Sequence, residues 1–384
     1  MGWCSLCSLR YHMNETINKP PSEREIGAEN NEDQVELDQL RLRISDVMTI
    51  ENAQVDVDQA IEFSGRLRVE AEVAFDNLKT QFEELGYVPL LREINEKHIV
   101  VAIKGTLQSA LAERRWLNGL LLLATLVTTT LFGGQYASRM NTGATLTVVQ
   151  IIVQYGLPFS LTLLTILGVH EFGHYIQAKR HALPVTLPYF IPAPFGVGTF
   201  GAFIQMRSAV GNKRALFDLG IGGPIAGLLV ALPLFVAGLL MSTVTNSPAP
   251  LNRSLLVEGL IALFRPEAIT NGILLNPVLL AARFGLIITA INLLPVGQLD
   301  GGHIAYAALG RKWAAWIGYA TIAAMAIMGV TSSPTWFVWL AFAMLSGVQH
   351  AAPLNDITPL DTRRNAAFLA TAVLLFSLFS AQPF

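Results

Sequence analysis

From Trp116 onward the chain is a succession of apolar runs, several of them long enough to cross a bilayer, and no other feature restricts its fold so strongly. A helix needs roughly 17–25 consecutive apolar residues to span the hydrocarbon core. Seven segments read as such spans: Trp116–Gly134, Leu157–Ile176, Phe217–Met241, Asn276–Leu294, Trp313–Val330, Thr335–Gln349 and Ala366–Ala381. The last two are short, and Trp313–Gln349 admits a bent hairpin around Pro334. Charge follows the same division. Only 14% of residues are charged, against roughly a quarter in a soluble domain. Twenty of the 28 Asp and Glu residues precede Lys104. The chain therefore reads as a polytopic α-helical membrane protein with a small, acidic, soluble N-terminal part, and no basic surplus points to nucleic acid.

Three regions are expected: residues 1–52 disordered and acidic, 53–105 a small soluble α+β module, and 106–384 the membrane domain. Within the module, Ile61, Phe63, Leu67, Ala71, Phe75, Leu78, Phe82 and Leu85 are read at helical spacing, ending at Gly86. Val88–Ile94 and His98–Ile103 form a hairpin candidate around Asn95-Glu96-Lys97. Cys4 and Cys7 make a lone C-x-x-C, which without a second pair is a weak metal or redox signal. No apolar signal core follows Met1 and no acid-poor transit segment is recognisable, as expected for a bacterial-type protein with a cytosolic N-terminus.

Loop charges orient the threading. With the N-terminus inside, Lys104, Arg114, Arg115, Lys179, Arg180, Arg207, Lys213, Arg214, Arg311, Lys312, Arg363 and Arg364 face inward, and only Arg139, Arg253 and Arg265 face outward. That asymmetry is the positive-inside pattern. Arg283, in the outer part of its span, is expected to snorkel to the interface.

One of these spans carries chemistry. His170-Glu171-Phe172-Gly173-His174 is an H-E-x-x-H inside an apolar run. Residues four apart share a helix face, so both imidazoles can meet one metal while Glu171 reaches a water bound to it. Zinc lowers that water's pKa to about 7, and Glu171 would take its proton. Three ionisable residues at lipid depth are costly unless used. A catalytic zinc wants a third protein ligand, and few candidates remain: Glu113, Asp218, Glu258, Glu267, Asp300, Asp356 and Asp361, with His181, His303 and His350. Asp218 reads as a carboxylate favoured by a helix N-terminus. Asp300 stands out because Asn292–His303 breaks a hydrophobic span with Pro295, Gly297, Gly301 and Gly302. Irregular backbone at membrane depth is tolerated where it lines a buried or watery cavity. His303 is expected beside the site rather than in it.

His170–His174, with Asn292-x-x-Pro295 and Leu299-Asp300-Gly301, resembles the site-2 protease family of intramembrane zinc metalloproteases. Thr186–Pro194, Arg214–Asp218, Gly222–Gly227 and Pro359–Arg364 are similar to its cyanobacterial and plastid branch. The resemblance implies that Asp300 is the third zinc ligand and that Asn292 polarises or positions the substrate near the scissile bond. It implies substrates that are single-span or other membrane proteins, in a plasma or thylakoid membrane, with the active site toward the cytosol. Gly297 departs from the second proline found in many members, and no segment is long enough for the PDZ domain many carry, leaving gating to the N-terminal module.

A peptide bond within a helix is shielded, so cleavage needs a locally extended substrate. Val185–Met206 is rich in Pro, Gly and aromatics, and Thr199–Gln205 reads as a strand. It is expected to dip into the membrane as a hairpin and offer Thr199, Phe200, Gly201, Ala202 and Phe203 to the substrate by strand addition. Rival readings are a protease of prenylated or soluble tails, a cation transporter using the same polar residues, and an inactive relative that binds membrane proteins without cutting them.

Overall fold

The computed structural model describes residues 31–55, 60–105, 114–140, 146–194, 196–245, 254–345, 347 and 350–379. Cys4, Cys7 and most of the stretch expected to be disordered lie outside them. The chain divides into two compact units.

The first unit comprises Met1–Leu111 together with Arg207–Leu216 and Ala351–Asp361. It opens on helix α1 (Asn31–Ile44), followed by strands β1 (Met48–Val55) and β2 (Ile61–Leu67), helix α2 (Ala71–Glu84), and strands β3 (Tyr87–Ile94) and β4 (Lys97–Lys104). The sheet order is β1-β2-β4-β3, with every neighbouring pair antiparallel. Two expectations are corrected here. Residues 31–44 and 48–52, expected to be disordered, are a helix and a strand. Leu40 and Ile44 fall on one helix face, and both are fully buried against the sheet's apolar side, which compensates the ordering of an acidic segment. Residues 61–67, read as the start of a helix, are a strand. The stretch pairs antiparallel with β1 and β4, and Ile61 and Phe63, two residues apart, both enter the buried apolar cluster as a strand allows; the helical spacing begins only with Ala74, Phe75, Leu78 and Phe82. The expected hairpin forms. Ile94 pairs with Lys97 across Asn95 and Glu96, whose φ values of 51° and 65° make the two-residue turn that follows strand twist.

The two later segments lace onto this unit through backbone and one buried amide. Leu91 pairs with Asn355 in parallel. The Asn355 side chain, fully buried, donates to the Ala71 carbonyl at 3.1 Å and to Thr358 Oγ1 at 2.8 Å, and it accepts from the amides of Ile357 and Thr358.

The second unit comprises Ala112–Met206, Phe217–His350 and Thr362–Phe384. Its helices are α3 (Arg115–Met140), α4 (Val148–Arg180), α5 (Lys213–Met241, from Phe217 onward), α6 (Leu255–Phe264), α7 (Glu267–Asn271), α8 (Pro277–Asn292), α9 (Asp300–Thr331), α10 (Thr335–Leu345) and α11 (Thr362–Leu378). Strands β5 (Tyr189–Pro192) and β6 (Thr199–Phe203) form a hairpin between α4 and α5, and β7 (Thr243–Val244) pairs with β8 (Ile273–Leu274). Four helices among the described residues, α3, α4, α5 and α9, are long and apolar enough to cross a membrane. Helix α8 is shorter but mostly buried, and it packs along α4. Arg283, expected to snorkel, lies on the buried part of that helix at 9% exposure.

Glycines let these helices approach. A Cβ on Gly173 would run into the Gly222 carbonyl, and one on Gly238 would lie 2.6 Å from the Leu279 amide. Apolar side chains gain little by leaving lipid for protein, so close backbone contact at small residues is what holds such helices together.

Candidate metal centre

Helix α4 carries His170 and His174 one turn apart, so their rings stand on one face, with centroids 4.9 Å apart. Asp300 arrives from 130 residues further on. The chain leaves α8 at Asn292, turns through Leu293–Leu299, and enters α9 at Asp300 itself. Gly301 and Gly302 make the turn possible, since a Cβ on either would collide with the carbonyls of Leu293 or Gly297. Asp300 Oδ2 lies 3.1 Å from His170 Nε2, and Oδ1 lies 3.2 Å from His174 Nε2. The two Nε2 atoms are 3.1 Å apart. Among the described residues this is the one group of three such side chains whose ligand atoms all lie within 4.8 Å of one another.

The hydrogen bonds around the cluster define what it can hold. His174 Nδ1–H donates to the Leu219 carbonyl at 2.8 Å, which leaves the Nε2 lone pair directed at the cluster. The Asn292 side-chain amide stands 3.4 Å from His170 Nε2, a donor facing a ring nitrogen. Two imidazole lone pairs and a carboxylate thus converge in a buried pocket, an arrangement that a cation satisfies. Tetrahedral ligands about 2.0–2.2 Å from a zinc ion stand roughly 3.3–3.5 Å from one another, close to the spacings here. The donor set, two nitrogens and one oxygen, suits Zn2+. Glu171 is 6% exposed, and the backbone N–H of Ile204, just beyond β6, donates to its carboxylate.

Residues 158–330 match the model of Peptidase family M50. They form a peptidase M50 domain. This is the site-2 protease family that the paired motifs resemble. Among curated proteins, the chain is 31% identical over 241 residues to the probable zinc metalloprotease EGY2, chloroplastic, of Oryza sativa subsp. indica, covering 61% of this chain and 44% of the relative. The Arabidopsis thaliana protein of the same name is 32% identical over 241 residues, covering 61% and 43%. The probable zinc metalloprotease EGY1, chloroplastic, of Arabidopsis thaliana is 31% identical over 225 residues, covering 56% and 41%. The chain thus spans less than half the length of these relatives. No solved structure matches it.

Within the M50 domain the structure brings His170, Glu171, His174, Asn292 and Asp300 to one place. His303, one helical turn beyond Asp300, pairs its Nδ1 with His350 Nε2 at 2.6 Å. Thr199–Phe203 form the second strand of the hairpin, with Phe200 and Phe203 exposed and Thr199 and Gly201 buried. Phe203 stacks on Tyr189 across the pair, at 5.6 Å between centroids.

Several contributors are invisible to motif reading. The Leu219 carbonyl is a backbone atom and has no residue signature. Gly223 is more telling, because a Cβ there would overlap the His174 ring. The run Gly222–Gly227 enters the sequence reading only through the family resemblance, and a small-residue face opposite H-E-x-x-H is the signal that could find it. Asp218, read as a helix-terminal carboxylate, receives Arg364 Nε at 2.8 Å and Nη2 at 2.5 Å, and lies 2.8 Å from His181 Nε2. His181 caps α4, Asp218 precedes Leu219 on α5, and Arg364 opens α11. This clamp therefore joins three helix ends next to the carbonyl that orients His174.

Proposed function

We propose that the protein is an intramembrane zinc endopeptidase that hydrolyses peptide bonds within or near transmembrane segments of membrane-protein substrates. The observation that carries this reading is the buried His170–His174–Asp300 cluster, with Glu171 beside it, on helices of membrane-spanning length. His170, His174 and Asp300 would hold the ion, which when bound supplies a Lewis acid for the scissile carbonyl and acidifies water. Glu171 accepts a proton from the attacking water and returns it to the amide nitrogen as the C–N bond breaks. Asn292 donates its amide N–H toward the carbonyl oxygen of the substrate and positions it. The Ile204 amide holds the Glu171 carboxylate in place.

Helices α8, α10 and α11 complete a seven-span arrangement in this reading, with the N-terminus and the metal centre toward the cytosol, in a bacterial plasma membrane or a thylakoid. Support comes from the inward bias of Lys and Arg. The substrate enters as an added strand on β6. That strand belongs to a two-stranded sheet, so the side away from β5 is where a further strand would add.

The decisive experiment compares wild type with Glu171→Gln in vesicles holding single-span substrates. The variant is expected to retain one zinc per chain and to lose cleavage by a factor of about 100 or more, roughly the weight of a general base. Cleavage at the wild-type rate, or a wild type that holds zinc and cuts no single-span protein, sinks the reading.

A further inference from the structure

Helix α9 changes character at Gly310. The backbone there takes φ 76° and ψ 173°, so two helical stretches meet at a break. Beyond it come Arg311 and Lys312, and then Trp313–Val330 without a charged residue. Trp313, Trp316 and Tyr319 recur at three-residue steps and are 64%, 65% and 48% exposed. Cations followed by outward-facing Trp and Tyr at the head of an apolar helix mark the depth of lipid headgroups.

A cavity of about 380 Å³ opens at this level. One wall is Arg311, Lys312, Ala315, Trp316 and Tyr319. The opposite wall is Pro295 and Gly297, in the turn between α8 and α9, with Gly302 in the first turn of α9, and Tyr306, Ala314 and His350 complete the lining. Tyr306 is fully buried and packs against His350, 5.0 Å between centroids, so that side is held in place. Among the described residues no carboxylate lines the cavity.

We propose that this cavity binds an anionic phospholipid, its phosphate between Arg311 and Lys312 and its acyl chain along Ala315, Trp316 and Tyr319. The cations supply the charge complement, and the adjoining aromatic and small side chains continue the surface into the apolar part of the helix. A soluble anion would make no use of that second feature. An acidic peptide would leave the exposed Trp and Tyr without a role. Because the far wall is the turn that ends at Asp300, the bound lipid touches the segment that delivers this side chain to the metal cluster.

The test uses the full chain in nanodiscs of phosphatidylcholine and phosphatidylglycerol in equal parts, with lipids retained on the released protein counted by native mass spectrometry. Wild type is expected to retain phosphatidylglycerol over phosphatidylcholine. The Arg311→Gln/Lys312→Gln double variant should lose about fivefold of that preference per cation. The control, Lys179→Gln/Arg363→Gln, removes the same charge from helix ends outside the cavity and should keep the preference. Circular dichroism and zinc content establish that both variants are folded. Equal retention of the two lipids by wild type, an unchanged preference in the Arg311/Lys312 variant, or an equal loss in the control overturns the proposal. Displacement of the lipid by inorganic phosphate or by an acidic peptide also overturns it, in favour of a soluble ligand.

Discussion

Single atoms at the metal cluster are set by what is missing as much as by what is present. Gly223 lies where the His174 imidazole needs room, and Gly227 would place a Cβ 3.2 Å from His170 Nδ1. Gly223→Ala is therefore expected to tilt His174 away from the Leu219 carbonyl and to weaken zinc binding by about 10–100-fold, the usual cost of disturbing a ligand's outer hydrogen bond. Competition with a chelator measures this directly, and unchanged affinity would show that the helices part without cost. A Cβ added at Gly259 would meet no atom within 4 Å, so Gly259→Ala makes a matched control.

At the level of elements, the site depends on how α4, α5 and α11 are fastened, and on what the hairpin offers. The Asp218 carboxylate receives a forked pair from Arg364 and also meets His181. Such planar two-point contacts give direction as well as energy. Asp218→Asn retains the shape but loses the charge, and zinc affinity is expected to fall about tenfold through the displaced Leu219 carbonyl. A cobalt-substituted sample should show an altered ligand-field spectrum, which a mere loss of stability would not produce. The hairpin makes a separate demand. A proline at Phe203 removes an N–H from β6 and disturbs the approach to Ile204. Phe203→Pro is expected to abolish cleavage with zinc still bound, and normal cleavage by that variant would remove strand addition from consideration.

For the whole molecule, the seven-span threading makes a prediction independent of the chemistry. Single cysteines placed at Arg253 and Arg363 in a chain lacking Cys4 and Cys7 should label from opposite sides with a membrane-impermeant maleimide, Arg253 from outside and Arg363 from inside. Labelling of both from one side refutes the orientation. The four helices long and apolar enough to cross a membrane are legible in the sequence, because hydropathy reports the cost of burying polar groups in lipid, which each residue carries by itself. The paired motifs are legible for a related reason, since a four-residue spacing on a helix already determines that His170 and His174 face the same way. Residues 31–52 and 61–67 depart from their expected structure because local pattern is weak where tertiary packing decides. An acidic helix becomes stable once Leu40 and Ile44 find the sheet, and a run such as Ile61-Glu62-Phe63 fits two periods equally well. The sequence by itself determined that the chain enters a membrane, that it carries an M50-type metal motif, and that Asp300 sits in a broken span. Only the tertiary structure decided that Asp300 reaches both imidazoles, that Leu219 and Gly223 seat His174, and that His303 pairs with His350. Those outcomes depend on which helix faces pack together, a property of pairs of distant segments that no local spacing encodes.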